Sequence, residues 1–270
     1  MYVASNAEDL ARKYGSDLTV FNKIFNSTFN NISSNLTERF KVKKEHEFRK
    51  TDLNNPRHVA LGVDSSMSCY LMQSILYNNT DWTARDVSNT EVFLQYLNKR
   101  LSHQIRGKGL AYGSSMHLSL SEGRIVLRVY RASQLTDAYK VIRTLFQNYL
   151  HEEAHLEEEL VESAKRTLIF SRVASEDTVT GLISQAVTAY IRGTDSRYNR
   201  QFINALAKVN ADDLKVVAKG ILQQFLLPNN TQTVVVCNKG EINKVVDNLN
   251  TYGFDIELYK SYEDTFLNFQ

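Results

Sequence analysis

Residues 104–115 read Gln-Ile-Arg-Gly-Lys-Gly-Leu-Ala-Tyr-Gly-Ser-Ser and join two different hydrophobic periodicities. An amphipathic run ends at Arg106, and after a glycine-rich break Tyr112 opens a strand pattern. The sequence therefore predicts a guanidinium and a phenol close together, an arrangement suited to binding a backbone carbonyl or a carboxylate. A purely structural interpretation also stands. Gly107 and Gly109 can end a helix, a cation is favoured in the last helical turn, and tyrosine is common in strands.

The predicted strands and helices follow one another in groups along the chain. Two strands and one helix precede the junction, two strands follow it, and then helical periodicity dominates. One further strand–helix–strand unit closes the chain. This order predicts an α+β fold, with a mixed or antiparallel β-sheet backed by a block of α-helices. The predicted strands are 59–63, 69–77, 111–119, 124–131, 233–237 and 254–258, and the predicted helices are 89–105, about five segments within 136–225, and 242–249.

The first part of the chain differs in character from the rest. Residues 8–30 have helical spacing of apolar side chains, and residues 33–55 are polar and end in an Asn-Asn-Pro turn signal. We interpret residues 1–56 as the helical tail of a preceding domain plus a linker, and residues 57–270 as one α/β domain.

The segment IRGKGLAYG, in which five residues separate Arg106 from Tyr112, resembles the second-half signature of the pitrilysin/insulysin family of zinc metallopeptidases. The spacing is similar to that in the branch with presequence proteases and falcilysin. Together with the stretch 124–133, RIVLRVYRAS, it looks closest to a eukaryotic branch of the family. The resemblance extends from about Arg57 to about Leu258, and it is to the last of the family's four domains.

This resemblance implies a role for each residue of the junction. In the family, two halves close over an unfolded peptide, and the second half contributes a tyrosine that hydrogen-bonds the scissile carbonyl and an arginine that holds a neighbouring carbonyl. Tyr112 and Arg106 occupy those positions. Gly107 and Gly109 would give the backbone freedom to present both groups, and Gly113 would let an extended peptide approach closely.

The resemblance places the zinc ligands outside this chain, in an inverted H-x-x-E-H motif of the first half. Residues 151–155 read His-Glu-Glu-Ala-His and match the other zincin motif, H-E-x-x-H. Because Ala154 stands at the fourth position, the inverted motif is absent. The segment falls between two amphipathic runs and is followed by Leu-Glu-Glu-Glu, so we interpret it as a polar turn between helices. A small zincin centred on His151 is the last-ranked alternative.

Composition narrows the possible partners and the compartment. A net charge of +2 argues against a nucleic-acid binder. The sequence has no apolar run long enough to span a membrane. Two cysteines, Cys69 and Cys237, are too few for a disulfide framework, which favours an intracellular, reducing compartment.

The sequence thus predicts the C-terminal, substrate-enclosing part of an insulinase-like zinc metalloendopeptidase that degrades unfolded peptides. Its expected partners are an unfolded peptide and the N-terminal catalytic half of the same protein, with zinc bound in the full-length enzyme, so the chain alone is expected to be inactive. The alternative is a non-catalytic scaffold or subunit with the same fold.

Overall fold

The computed structural model describes residues 58–78, 85–120, 122–151, 155–194, 197–259 and 261. The predicted tail and linker at residues 1–56 lie outside these residues. The described chain forms six strands and seven α-helices, in which the predicted elements reappear in order. The strands are β1 His58–Gly62, β2 Cys69–Leu76, β3 Ala111–Ser119, β4 Arg124–Ala132, β5 Thr231–Cys237 and β6 Ile256–Tyr259. The helices are α1 Arg85–Ile105, α2 Leu135–Leu150, α3 Glu158–Ala174, α4 Val179–Arg192, α5 Tyr198–Ala207, α6 Ala211–Leu226 and α7 Lys239–Asn250, with a 3₁₀ turn at Pro228–Asn230.

All six strands belong to one sheet with the spatial order β3-β4-β2-β5-β1-β6. β1 runs parallel to β5 and to β6, whereas β2 pairs antiparallel with β4 and β5, and β3 pairs antiparallel with β4. The sheet is therefore mixed, and the predicted α+β class is confirmed. β6 lies at one edge, as its alternating pattern predicts, and β3 lies at the other.

Helix α1 supplies the largest apolar stripe of the core. It contacts β3, α3, α5 and α6. The six positions that share one face of the predicted helix are all fully buried, which confirms the periodicity: Val92, Phe93, Tyr96, Leu97, Leu101 and Ile105. Because α1 is anchored along this whole stripe, its C-terminal end is fixed beside the start of β3.

The two faces of the sheet have different surroundings. Alternate residues on the helix side, such as Leu71, Val235 and Leu127, are at most 2% exposed. Residues of the opposite parity face the other way and keep much of their surface, with Met72 at 44% exposure and Val234 at 45%. We call this second surface the open face. Within the described residues, no helix is both long and apolar enough to cross a membrane.

Both cysteines are free thiols on the helix side of the sheet, Cys69 in β2 and Cys237 in β5. The prediction that Cys237 is buried is confirmed, since it has no exposed surface. A hydrogen bond with Cys69 and burial raise the pKa of the Cys237 thiol, which keeps it protonated and unreactive.

A buried histidine gives the fold a predictable pH dependence. His58 is the first residue of β1, rather than preceding it as the sequence predicts, and its ring packs edge-on against Phe254 at 4.9 Å. Burial lowers the pKa of His58 below its usual 6.5, although the backbone of Pro228 and the charge of Asp255 oppose the shift. Protonation thus favours the unfolded chain, and the stabilisation present above pH 6.5 is lost as the pH falls through the lowered value.

We therefore expect the melting temperature to fall between pH 7 and pH 5. The contribution of His58 to the free energy of unfolding has a slope of at most about 1.4 kcal/mol per pH unit. His58→Phe keeps a ring against Phe254 and removes the titration, so its melting temperature should fall less over the same range. Differential scanning calorimetry at both pH values measures this, and identical pH dependence in the two proteins would contradict it.

Candidate functional site

The site begins where α1 ends. The last helical residue is Ile105, so Arg106 lies one residue beyond the helix rather than in its last turn. The Arg106 amide donates to the carbonyl of Ser102 at 2.9 Å, and the Gly107 amide donates to the same oxygen at 3.3 Å. Gly109 then takes a φ of 71°, in the left-handed region that favours glycine, and this reverses the chain toward β3.

Gly107 is needed for a different reason from Gly109. A Cβ atom at Gly107 would lie 2.3 Å from the carbonyl oxygen of His103. Any side chain there would push the loop away from the helix end and would move Arg106 with it. At Gly113, by contrast, a Cβ would meet nothing within 4 Å, so the described residues leave that position open.

The loop is also fixed from its far side. The carbonyl of Leu110 accepts hydrogen bonds from the amides of Ser133 and Gln134, both at 3.1 Å. The Ser133 hydroxyl donates to the carbonyl of Gly109 at 3.2 Å. These bonds join the loop after α1 to the segment between β4 and α2. The loop that carries Arg106 is therefore held by hydrogen bonds at both of its ends.

The pair proposed from the sequence lies together at this junction. The guanidinium of Arg106 sits over the ring of Tyr112, 5.1 Å from its centroid. Arg106 is exposed, and Tyr112 keeps 59% of its surface exposed. Exposed tyrosine and arginine side chains can both donate hydrogen bonds to an incoming carbonyl or carboxylate. Whether they do so on a substrate stays a prediction.

The structure adds three residues that the sequence reasoning missed. The ring of Tyr130 is edge-on to Tyr112 at 6.0 Å and to Tyr70 at 5.5 Å, and the guanidinium of Arg131 lies 5.3 Å from the Tyr130 ring centroid. We call these five residues, Arg106, Tyr112, Tyr130, Tyr70 and Arg131, the tyrosine cluster. The sequence feature that could have indicated Tyr130 and Arg131 is their place at the end of a strand that forms a hairpin with the strand of Tyr112. The position of Tyr70 beside them depends on the order of the strands in the sheet.

β3 is an edge strand of the described sheet, so the cluster adjoins backbone groups that no described strand pairs with. Asn98 of α1 covers part of this edge, because its amide donates to the carbonyl of Met116 at 2.8 Å and its oxygen accepts from the Met116 amide at 2.6 Å. Since backbone direction alternates along a strand, Tyr112 and Ser114 present their groups on the same side as Met116. An extended peptide could pair with β3 at these two residues, next to the cluster.

The tyrosine cluster lies at the surface of the described part of the chain, with Tyr112 59% and Tyr130 46% exposed. A cavity of about 390 Å³ lies in the helical layer, lined by residues that include Tyr149, His155, Lys215 and Lys219. No residue of the cluster lines it. The candidate site is therefore open to contact by an extended ligand or by another domain.

The described residues do not form a zinc site. His151 is the residue that follows α2, and His155 lies before α3, so the two histidines do not share a helix as the H-E-x-x-H chemistry requires. Residues 152–154 lie outside the described part of the chain. Within that part, no group of three or more His, Cys, Asp or Glu side chains could hold a metal ion.

Comparison with other proteins identifies the class of fold. No protein-family model matches the chain. An uncharacterized protein of Caenorhabditis elegans is 25% identical over 161 residues, which are 58% of this chain and 16% of that protein. An uncharacterized protein of Saccharomyces cerevisiae is 25% identical over 166 residues, covering 59% and 16% respectively. The matched part thus spans about one sixth of the length of these curated relatives.

Solved structures give the same architecture. A peptidase M16 inactive domain from Pseudomonas fluorescens superposes with a TM-score of 0.52 and 18% identity, covering 68% of this chain and 44% of that one. A protease from Helicobacter pylori gives a TM-score of 0.58 with 9% identity, covering 82% and 52%. Pitrilysin gives 0.53 with 10% identity, covering 77% and 22%. The chain therefore has the insulinase-like fold of M16 peptidase domains.

Proposed function

We propose that this chain is the C-terminal, substrate-enclosing part of an insulinase-like zinc metalloendopeptidase that degrades unfolded peptides. The observation that carries the proposal is the exposed Arg106–Tyr112 pair at a pinned helix-to-strand junction of an M16-type fold. The five-residue spacing of the pair supports the presequence-protease and falcilysin side of the family. The coverage of only about one sixth of the relatives' length agrees with a chain that acts as part of a larger protein.

In this proposal the Tyr112 hydroxyl donates a hydrogen bond to the carbonyl oxygen of the scissile peptide bond as negative charge develops there. Arg106 donates to a neighbouring carbonyl and holds the peptide in register. A preorganised donor of this kind contributes roughly 2.7–4 kcal/mol to the stabilisation of a transition state. Gly107 and Gly109 shape the loop that presents Arg106, and Gly113 leaves room for the peptide beside Tyr112.

In this proposal the zinc of the full-length enzyme is held by the N-terminal catalytic half, as the family resemblance implies. The described residues of this chain hold no group of three or more His, Cys, Asp or Glu side chains that could bind a metal ion. The described residues bind and orient peptide and perform no step on the metal. A reducing compartment suits the two free, buried cysteines. The alternative function is a scaffold of the same fold, which would need no peptide contact at Arg106 or Tyr112.

The test uses the purified 270-residue chain and a fluorescent, unstructured peptide. We expect fluorescence anisotropy to show reversible binding that Arg106→Ala weakens several-fold, with no hydrolysis and no stoichiometric zinc. Arg166→Ala, at an exposed arginine on α3, is the matched control and should bind like the wild type. Chelator-sensitive hydrolysis by this chain would contradict the assignment of the zinc to another half, and binding indifferent to Arg106 would favour the scaffold.

A further inference from the structure

Among the residues that the structure describes, no carboxylate pairs with the positive charge of the tyrosine cluster. The parts of the chain around this cluster, residues 66–72, 104–115 and 128–134, contain four arginines and lysines and no aspartate or glutamate. Among the described residues, no ion pair joins Arg106 or Arg131 to an acidic side chain. Asp64, a short distance before the first segment, is paired with Lys239 at 2.7 Å. The cluster is therefore electrostatically complementary to an anionic group.

The backbone of Arg131 adopts an energetically unfavourable conformation. Its φ of 50° is the one positive value at a non-glycine residue in the described chain. The pairing of β2 with β4 shifts register here, so that Tyr130 and Arg131 together stand opposite Tyr70 in a β-bulge. Glycine is the residue that suits such a position in a bulge, and bulges commonly re-aim side chains next to binding sites. An arginine kept in a strained conformation indicates that its side chain has a use.

The side chain of Arg131 stays in solvent, with its guanidinium 5.3 Å from the centroid of the Tyr130 ring. Interactions with Tyr70 and with Tyr130 raise the pKa of Arg131 above its usual value. The guanidinium is exposed, so its remaining donors can reach a ligand. Arginine offers a planar fork of donors that matches a carboxylate, and tyrosine rings flank such a group with apolar surface and hydroxyl donors.

We propose that Arg131, Tyr130 and Tyr70 form a peptide subsite that selects an aspartate or glutamate side chain. The inference rests on the proposed function, because the ligand is the same extended peptide that Arg106 and Tyr112 contact through its backbone. The subsite adds side-chain selectivity to those backbone contacts. The Tyr130 ring of the subsite contacts the Tyr112 ring at 6.0 Å. Neighbouring residues of one extended peptide can therefore reach the subsite and the Arg106–Tyr112 pair together.

The experiment compares two fluorescent, unstructured peptides that are identical except that three glutamates in one are glutamines in the other. We expect the wild-type 270-residue chain to bind the glutamate peptide about three- to five-fold more tightly at low salt, a preference typical of exposed charge pairs. Added salt should reduce it. Arg131→Gln should bring the ratio of the two affinities to about one, whereas the control Arg166→Gln should leave it unchanged. An unchanged ratio in Arg131→Gln would overturn the subsite.

A second variant separates binding from folding. Arg131→Gly removes the backbone strain, so we expect the melting temperature to rise by about 1–3 °C while the glutamate preference is lost. A fall in melting temperature would show that the arginine is kept for stability and would overturn the inference.

Failure of the subsite can be told apart from failure of the proposed function. Arg106→Ala should weaken both peptides equally, because a backbone carbonyl is the same in each. If both peptides bind equally to the wild type and both depend on Arg106, the subsite is wrong and the proposed function stands. If neither peptide binds, both proposals fall.

Discussion

If Tyr112 acts as proposed, replacing it with phenylalanine should lower the kcat of the assembled peptidase by about 10²- to 10³-fold, the usual effect of removing one donor to a developing oxyanion. The ring, its contact with Arg106 and its edge-on contact with Tyr130 all persist in the variant, so only the hydroxyl is lost. Because Tyr112 is 59% exposed, the melting temperature should stay within about 1 °C of the wild type.

The measurement is steady-state hydrolysis of a quenched unstructured peptide by the full-length peptidase of the proposed function. A loss confined to kcat, with KM nearly unchanged, is the signature of an interaction made in the transition state. Tyr190→Phe is the matched control, since it removes a hydroxyl from an equally exposed tyrosine on α4, outside the tyrosine cluster, and it should keep most of the activity. An active Tyr112→Phe enzyme would contradict the role of the hydroxyl and would favour the scaffold function.

The architecture followed closely from periodicity. All six predicted core positions of α1 are buried, and the alternation in residues 254–258 predicts an edge strand, as observed. Both patterns are readable from the sequence because they depend on which face of a single element is buried. The start of α1 at Arg85 and the inclusion of His58 in β1 were missed by one to four residues. At element ends, hydrogen bonds from neighbouring segments decide the boundary, and a single sequence does not show them.

The candidate site was only partly predictable. Arg106 and Tyr112 are close in sequence, and the two glycines between them fix the geometry locally. Tyr70 comes from a strand that precedes α1, so its place beside Tyr130 depends on the sheet order and on the bulge. The strain at Arg131 arises from strand pairing, which leaves no trace in the local pattern because arginine is ordinary in a strand.

The interpretation of residues 151–155 shows what a motif needs beyond its letters. The H-E-x-x-H spacing carries zinc chemistry only when one helix places both histidines on the same face. Here His151 and His155 both lie in the interval between α2 and α3. The sequence indicated this boundary through the glutamate run that follows, and the structure confirms that neither histidine belongs to α2 or α3.

Gly107→Ala should destabilise the chain by about 2–3 kcal/mol, which corresponds to a fall in melting temperature of roughly 5–10 °C. The added Cβ would lie 2.3 Å from the carbonyl oxygen of His103, a backbone atom that cannot turn aside. The loop must therefore move off the end of α1, which strains the bonds from Ser133 and Gln134 to Leu110. Urea and thermal unfolding followed by circular dichroism measure the loss.

Substitutions at Gly109 and Gly113 distinguish the effect of a steric clash from the effect of backbone strain. Gly109→Ala meets no atom within 4 Å but forces a φ of 71° on alanine, so it should cost about 1 kcal/mol. Gly113→Ala meets nothing and lies in a strand, so its stability should equal or slightly exceed that of the wild type. If Gly107→Ala proved as stable as Gly113→Ala, the close approach of the loop to α1 would be wrong. The position of Arg106 over Tyr112 would be wrong with it, because that approach is what sets the arginine beside the ring.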